Sequence, residues 1–211
     1  MKVTKYPQSC LILEQDGKRI LIDPGSFVSQ KYKASDLGSV DGILITHEHQ
    51  DHVDPELLKE IVGDSSIPVV ANQSSAKLLG DIVTKIVNDE DELEVAGFKI
   101  TARELDHCDM VDGTPGPQNT GYVVNGAFFH PGDGISIENL TVNSTAVPIA
   151  GPDISPKDVH QFIKQVGCKV VIPIHYDGFP ADPEFFKNMF SRWFKLPVEF
   201  IPLASGESTE V

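Results

Sequence analysis

The apolar run Gly42-Ile43-Leu44-Ile45 ends in Thr46-His47-Glu48-His49-Gln50-Asp51-His52. Neutral imidazole and carboxylate are preferred ligands of zinc and similar divalent metals. An apolar run that stops in such a cluster predicts a buried strand delivering its C-terminal loop to a metal. Alternate residues of an extended segment point the same way, so His47 and His49 can reach one ion together. Asp51 and His52 lie a step further and can face a second ion if the chain curls over the strand end. A helix start supplies that curl: Asp54-Pro55-Glu56 offers an N-cap, a proline at the first helical position and an acid in the first turn, ahead of Leu57, Leu58 and Ile61.

The motif formed by His47, His49, Asp51 and His52 resembles the signature of the metallo-β-lactamase superfamily. That resemblance implies an α/β fold, a four-layer αββα sandwich, with a site for one or two metals. It also makes demands on the rest of the chain. A later strand should end in histidine, and His107 follows Phe98–Leu105. A Gly-Asp turn after a hairpin should supply a bridging aspartate, and His130-Pro131-Gly132-Asp133-Gly134 contains Asp133. A strand near the C-terminus should close in histidine, and Val170-Val171-Ile172-Pro173-Ile174 runs into His175. By this resemblance His47, His49 and His107 would hold one ion, Asp51, His52 and His175 another, and Asp133 would bridge them. The implied cofactors are two divalent ions per chain, zinc first and manganese as the alternative.

The implied activity is hydrolysis by a hydroxide between the two ions, with Asp51 orienting it or moving its proton. A bound metal brings the pKa of water from about 15.7 towards 7. Diiron oxygen-reducing members of the superfamily carry an acid where His49 stands, which argues against that branch. Single-iron persulfide dioxygenases share the first motif and form one alternative; a metal-binding protein without turnover forms another. The long inserted domain of the RNA-processing members is absent. The segments Gln8-Ser9-Cys10-Leu11-Ile12, Ile22-Asp23-Pro24-Gly25 and Ile172-Pro173-Ile174-His175-Tyr176 resemble a small cytoplasmic group that includes ascorbate-6-phosphate lactonase and uncharacterised metal-dependent hydrolases. Some of that group carry histidine where Gln8 stands. The substrate would be a small molecule with an ester, lactone or phosphodiester-type bond; thioesters and amides stay open.

Around these ligands, Asp23 reads either as the acceptor that orients an imidazole N–H or as an Asp-Pro turn. His130 reads as a supporting or substrate-contacting residue, or as a structural histidine. Cys108 is a neighbour of His107 that can be a supporting thiol or a bystander, and His160 falls on a helix surface.

The chain of 211 residues carries a formal net charge of −14, which disfavours a nucleic-acid partner. Its length suits a single domain over residues 1–211. No N-terminal export pattern or membrane-length apolar run is visible. The three cysteines, Cys10, Cys108 and Cys168, lack a framework spacing, so a reduced, cytoplasmic protein is expected. Oligomeric state is not legible. Strands are expected at Val3–Tyr6, Cys10–Gln15, Arg19–Ile22, Val69–Ala71, Phe98–Leu105, Thr120–Val124 and Ala127–Phe129, with hairpin turns at Asp16-Gly17 and Asn125-Gly126. A loop is expected from Pro24 to Ser39 and another over Asp109–Asn119. Helices are expected at Ser74–Leu79, from Ser155 to Gln165, and after Asp182. In the last of these, Phe185, Phe186, Met189, Phe190 and Trp193 form a stripe expected to be core.

Overall fold

The N-terminal half of the chain builds one sheet and the C-terminal half another. The computed structural model describes residues 1–211. In the first half run β1 (Lys2–Lys5), β2 (Leu11–Gln15), β3 (Lys18–Ile22), β4 (Gly42–Leu44), β5 (Val69–Ala71) and β6 (Lys85–Ile86). In the second run β7 (Glu92–Val95), β8 (Phe98–Leu105), β9 (Asn119–Val124), β10 (Phe128–His130), β11 (Ser144–Pro148), β12 (Val170–Ile174) and β13 (Glu199–Phe200). The last strand, β14 (Ser208–Glu210), returns to pair with β1. The sheet orders are β14-β1-β2-β3-β4-β5-β6 and β13-β12-β11-β10-β9-β8-β7. Each half starts with antiparallel hairpins and continues with parallel strands, β3 through β6 in one and β10 through β13 in the other.

Alternation along the strands sorts the side chains into layers. Leu11, Leu13, Ile20 and Ile22 face the second sheet, where they meet Phe98, Ile100, Tyr122 and Phe128. Ile12, Leu21 and Ile43 point the other way, against helix residues Val28, Leu57, Leu58 and Leu79. On the far side, Val123, Phe129, Val147 and Val171 pack on Val159, Phe162, Phe186 and Phe190. Three apolar layers between four layers of secondary structure make the αββα sandwich.

The helices are α1 (Ser26–Ser29), α2 (Ala34–Leu37), α3 (Pro55–Val62), α4 (Gln73–Leu79), α5 (Pro156–Val166) and α6 (Pro183–Asn188). Asp54 caps α3 by accepting from Glu56 and Leu57 N–H, and Ser155 forms a capping box with Asp158 at α5. The segment expected to be a plain loop after Pro24 contains the single-turn helices α1 and α2. Strands β6, β7, β11, β13 and β14 had no counterpart in the sequence reading. The aromatic stripe is core only in part: Phe186, Met189 and Phe190 are buried, whereas Phe185 and Trp193 are exposed. A π-turn over Met189–Trp193 follows α6, and its wider repeat swings Trp193 out of the buried face. His160 is half-buried against the rings of Phe190 and Phe194 rather than solvated. No helix is long and apolar enough to cross a membrane.

Phe162 is fully buried in the outer core beneath α5, near the Phe129 ring. Phe162→Ala is expected to cost about 3–5 kcal/mol in urea unfolding. A loss below about 1 kcal/mol would show that α5 is not packed as described.

Candidate metal centre

The parallel strands of each half share a direction, so their C-terminal ends reach one edge of the sandwich. Asp23 follows β3, His47 to His52 follow β4, His107 follows β8, Asp133 follows β10 and His175 follows β12. The side chains meet there as two groups, His47, His49, His107 and Asp133 in one and Asp51, His52 and His175 in the other, with ligand atoms in each group within 4.8 Å of one another. The Asp133 carboxylate lies between them. Its Oδ2 is 3.4 Å from His107 Nε2 and 3.1 Å from His175 Nε2, and its Oδ1 is 3.0 Å from His52 Nε2. His175 Nε2 is also 3.1 Å from Asp51 Oδ2.

These atoms fit divalent ions on two counts. Nitrogen and oxygen ligands of a tetrahedral zinc lie about 3.3 Å apart, given bonds of about 2.0–2.1 Å. His47 Nε2 and His49 Nδ1 are 3.2 Å apart, and the Asp133 contacts fall around the same separation. Second, some of the close approaches are not hydrogen bonds. Asp133 Oδ1 and His107 Nε2 are buried without a hydrogen-bond partner, although each has a nitrogen or oxygen nearby. Close atoms that do not point at each other are arranged for a shared third atom.

The opposite ring nitrogens are oriented one by one. His52 Nδ1–H donates to Asp23 Oδ2 at 2.8 Å. Asp23 also accepts from the Thr46 N–H at 2.8 Å and the Thr46 hydroxyl at 2.7 Å. That hydroxyl lies 3.1 Å from His47 Nδ1 and accepts its proton. His107 Nδ1–H donates to the Cys108 carbonyl at 2.6 Å, and His175 Nδ1–H to the Ala150 carbonyl at 2.7 Å. In these four rings the Nε2 lone pair is therefore left for the centre. Cys108 serves His107 through its backbone.

His130 is fully buried; its Nε2–H donates to Ser9 O, and its Nδ1 accepts from Gly132 N–H. Both ring nitrogens are thus occupied, one by the turn that presents Asp133 and one by the segment between β1 and β2, which leaves none for substrate. Asn119, which the sequence reading passed over, accepts the Asp133 N–H and donates to the Pro131 carbonyl. Thr46 and Gln8 were likewise missed as supports. Thr46 shows its role only when Asp23 is brought beside it, 23 residues away in sequence. Gly25 permits a close approach: a Cβ there would lie 2.0 Å from the Asp51 carbonyl oxygen.

Charge is strongly coupled in this cluster. Burial opposes it, but Asp133 and Asp23 push the His52 imidazole up to about 10. Against burial again, Asp133 and then Cys108 push His107 up to about 10. His175 rises well above its ordinary value despite burial, held by Asp133 and Asp51. Asp133 stays far below the usual carboxylate range although burial works against it, through His175 and His52. Burial and the neighbouring His52 keep His47 neutral. Without ions the carboxylates are neutralised by protons on the histidines, and cations would take their place.

Two partly buried groups of imidazoles and carboxylates at the strand ends of an αββα sandwich mark a metal-dependent class of protein. Residues 2–175 match the family described as Beta-lactamase superfamily domain. A UPF0173 metal-dependent hydrolase of Methanopyrus kandleri is 30% identical over 237 residues, covering 100% of both chains. A Mycobacterium tuberculosis protein is 29% identical over 183 residues, 83% of this chain and 84% of its own. A metallo hydrolase of the hyperthermophilic archaeon Ignicoccus hospitalis has the same fold, with a TM-score of 0.77 at 21% identity over 99% of this chain and 97% of that one. The chain belongs to the β-lactamase superfamily and, within it, to the metal-dependent hydrolases.

Ligation requires His52, His107 and His175 to give up the protons they hold in the ion-free state. Zinc titration calorimetry near pH 8, in buffers of different ionisation enthalpy, should show about two to three protons released per chain. Affinity should climb as pH rises towards about 10, where His52 and His107 deprotonate unaided. An enthalpy independent of the buffer would overturn this account.

Proposed function

We propose that the chain hydrolyses an ester, lactone or related carbonyl bond of a small molecule at a pair of divalent ions. The reading rests on one observation, the position of Asp133 between the two ligand groups. His47, His49 and His107 would hold one ion, Asp51, His52 and His175 the other, and Asp133 both. Five imidazoles among seven ligands suit zinc, with manganese the alternative. Ions held there supply an acidified water and polarise the bond under attack.

The chain's own groups do the rest. Asp51 is the most open carboxylate of the cluster, its side chain 25% exposed against 5% for Asp133. It can orient the attacking water and take its proton. Asp23 and Thr46 keep His52 and His47 in the tautomers that ligation needs. Both halves contribute ligands, so we read residues 1–211 as one functional domain.

The surroundings favour carbonyl substrates over phosphodiesters. Beside His107 is a cavity of about 390 Å³ that includes Glu104, Asp106 and Asp109 in its lining. Beside His175 is another of about 550 Å³, mostly apolar, with Ile149, Ile154, Phe179 and Phe186 in its wall. The Phe179 ring stands 5.4 Å from the His175 ring. An acidic wall on one flank and an apolar one on the other suit a neutral substrate with an apolar group. Three free cysteines, two of them buried, fit a cytoplasmic setting.

Elemental analysis of protein purified without chelator or added metal is expected to give about two zinc or manganese ions per chain. Carboxyl esters and lactones should then turn over faster than phosphodiesters, and Asp51→Asn should lower kcat by about a hundredfold or more with the fold intact. One iron per chain with oxygen uptake on a persulfide would replace this reading with a dioxygenase. Filled sites without turnover on any of these substrates would leave a non-catalytic metal binder.

A further inference from the structure

Gln8 adopts a left-handed backbone conformation (φ 62°), as do Asp23 (φ 51°) and His175 (φ 60°) at the same site. Such a conformation strains a residue with a side chain and persists only where the surroundings over-determine it. Gln8 is 1% exposed, and each of its four hydrogen-bonding groups has a partner in the site's own loops. Its N–H donates to Asp177 Oδ2 at 2.7 Å, and its carbonyl accepts the His175 N–H at 3.1 Å. Its side-chain oxygen accepts the Gly178 N–H at 3.4 Å, and its side-chain Nε2 donates to Asp51 Oδ2 at 2.9 Å. Three of these bonds grip the loop that carries His175, and the fourth reaches the loop that carries Asp51.

The grip has an anchor behind it. The Lys5 ammonium is buried (1% exposed) and lies 3.0 Å from Asp177 Oδ2, the same oxygen that holds the Gln8 N–H. It also donates to the Tyr6 carbonyl and sits 4.4 Å from the centre of the Tyr176 ring. A buried cation tolerates little displacement of its partners, because losing one leaves the charge uncompensated. Asp177 is thereby fixed, and Gln8 with it.

We propose that Gln8 is a positioning residue that locks the Asp51 loop to the His175 loop and sets the rotation of the Asp51 carboxylate. It acts through Asp51 on the ion held by Asp51, His52 and His175, and leaves the ion at His47, His49 and His107 alone. The inference rests on the two-ion reading above. Outer partners that orient a ligand typically change metal affinity by about 10–100-fold.

The test is titration of metal-depleted protein with cobalt(II), following visible d–d absorption and calorimetric heat, for wild type, Gln8→Met and Gln8→Asn. Methionine keeps the length and removes the donor. Asparagine tolerates the left-handed backbone better than glutamine but is one methylene too short for Asp51. A merely structural role would be preserved or improved by asparagine, as judged by the thermal midpoint of the metal-free protein. Wild type is expected to take up cobalt in two steps. In both variants one of the two steps should weaken by about tenfold or more and its spectrum should change, with the other step within about twofold. Two unaltered steps in either variant would overturn the role of Gln8. A single step in wild type would overturn the two-ion reading and this role with it.

Discussion

Asp133 belongs to the second sheet and is surrounded by histidines drawn from both. His47 and His52 come from the turn after β4, and His107 and His175 from the segments after β8 and β12 of the other half. A carboxylate 4% exposed cannot remain charged unless opposite charge is brought to it. That requirement ties the edges of the two sheets together at the end of the central core. The apolar layer between the sheets ends beneath the site, with Leu44, Ile172 and Ile174 lying just before the ligand loops. Burial of the sheets thus sets the distance across which the ligands must reach.

Supports for the ligands come from turns that are strained or closely packed. Asp23 and His175 have left-handed backbones, and Gly25 lies where a methyl group would strike the Asp51 carbonyl. Gly132 is similar, since a Cβ there would come within 2.1 Å of Asn119 Oδ1. Strain of this kind costs about 1–3 kcal/mol per residue and is found where a site demands geometry that the chain would not choose alone. The hairpin turns at Asp16-Gly17 and Asn125-Gly126 use the same backbone region, but there it serves only to reverse the chain.

Much of the candidate ligand set was legible because metal chemistry restricts residue type in one segment and the resemblance to a known family pointed to the rest. His47, His49, Asp51 and His52 sit within one short segment, and His107, Asp133 and His175 follow apolar strands. The elements that were missed are short or carry mixed signals. β13 and β14 span only two and three residues. β11 reads Ser-Thr-Ala-Val-Pro, whose proline and hydroxyls hide a strand buried at every position. The exposed Trp193 escaped because a π-turn shifts the helical phase after α6, and periodicity alone carries no sign of it.

The sequence by itself, through its histidine-rich motif and the family that motif resembles, pointed to the αββα class and to candidate ligands at strand ends. Alternation of apolar side chains and the preferences of divalent metals act locally and can be read one segment at a time. Tertiary structure alone decided which side chains support those ligands. Asp23 meets His52 and Ala150 meets His175 across separations of 29 and 25 residues, and Gln8 meets Asp51 across 43 and the His175 N–H from the far end of the chain. A hydrogen bond between distant segments leaves no periodic trace in the chain. Its partners become visible only when the packing of two sheets brings their edges together.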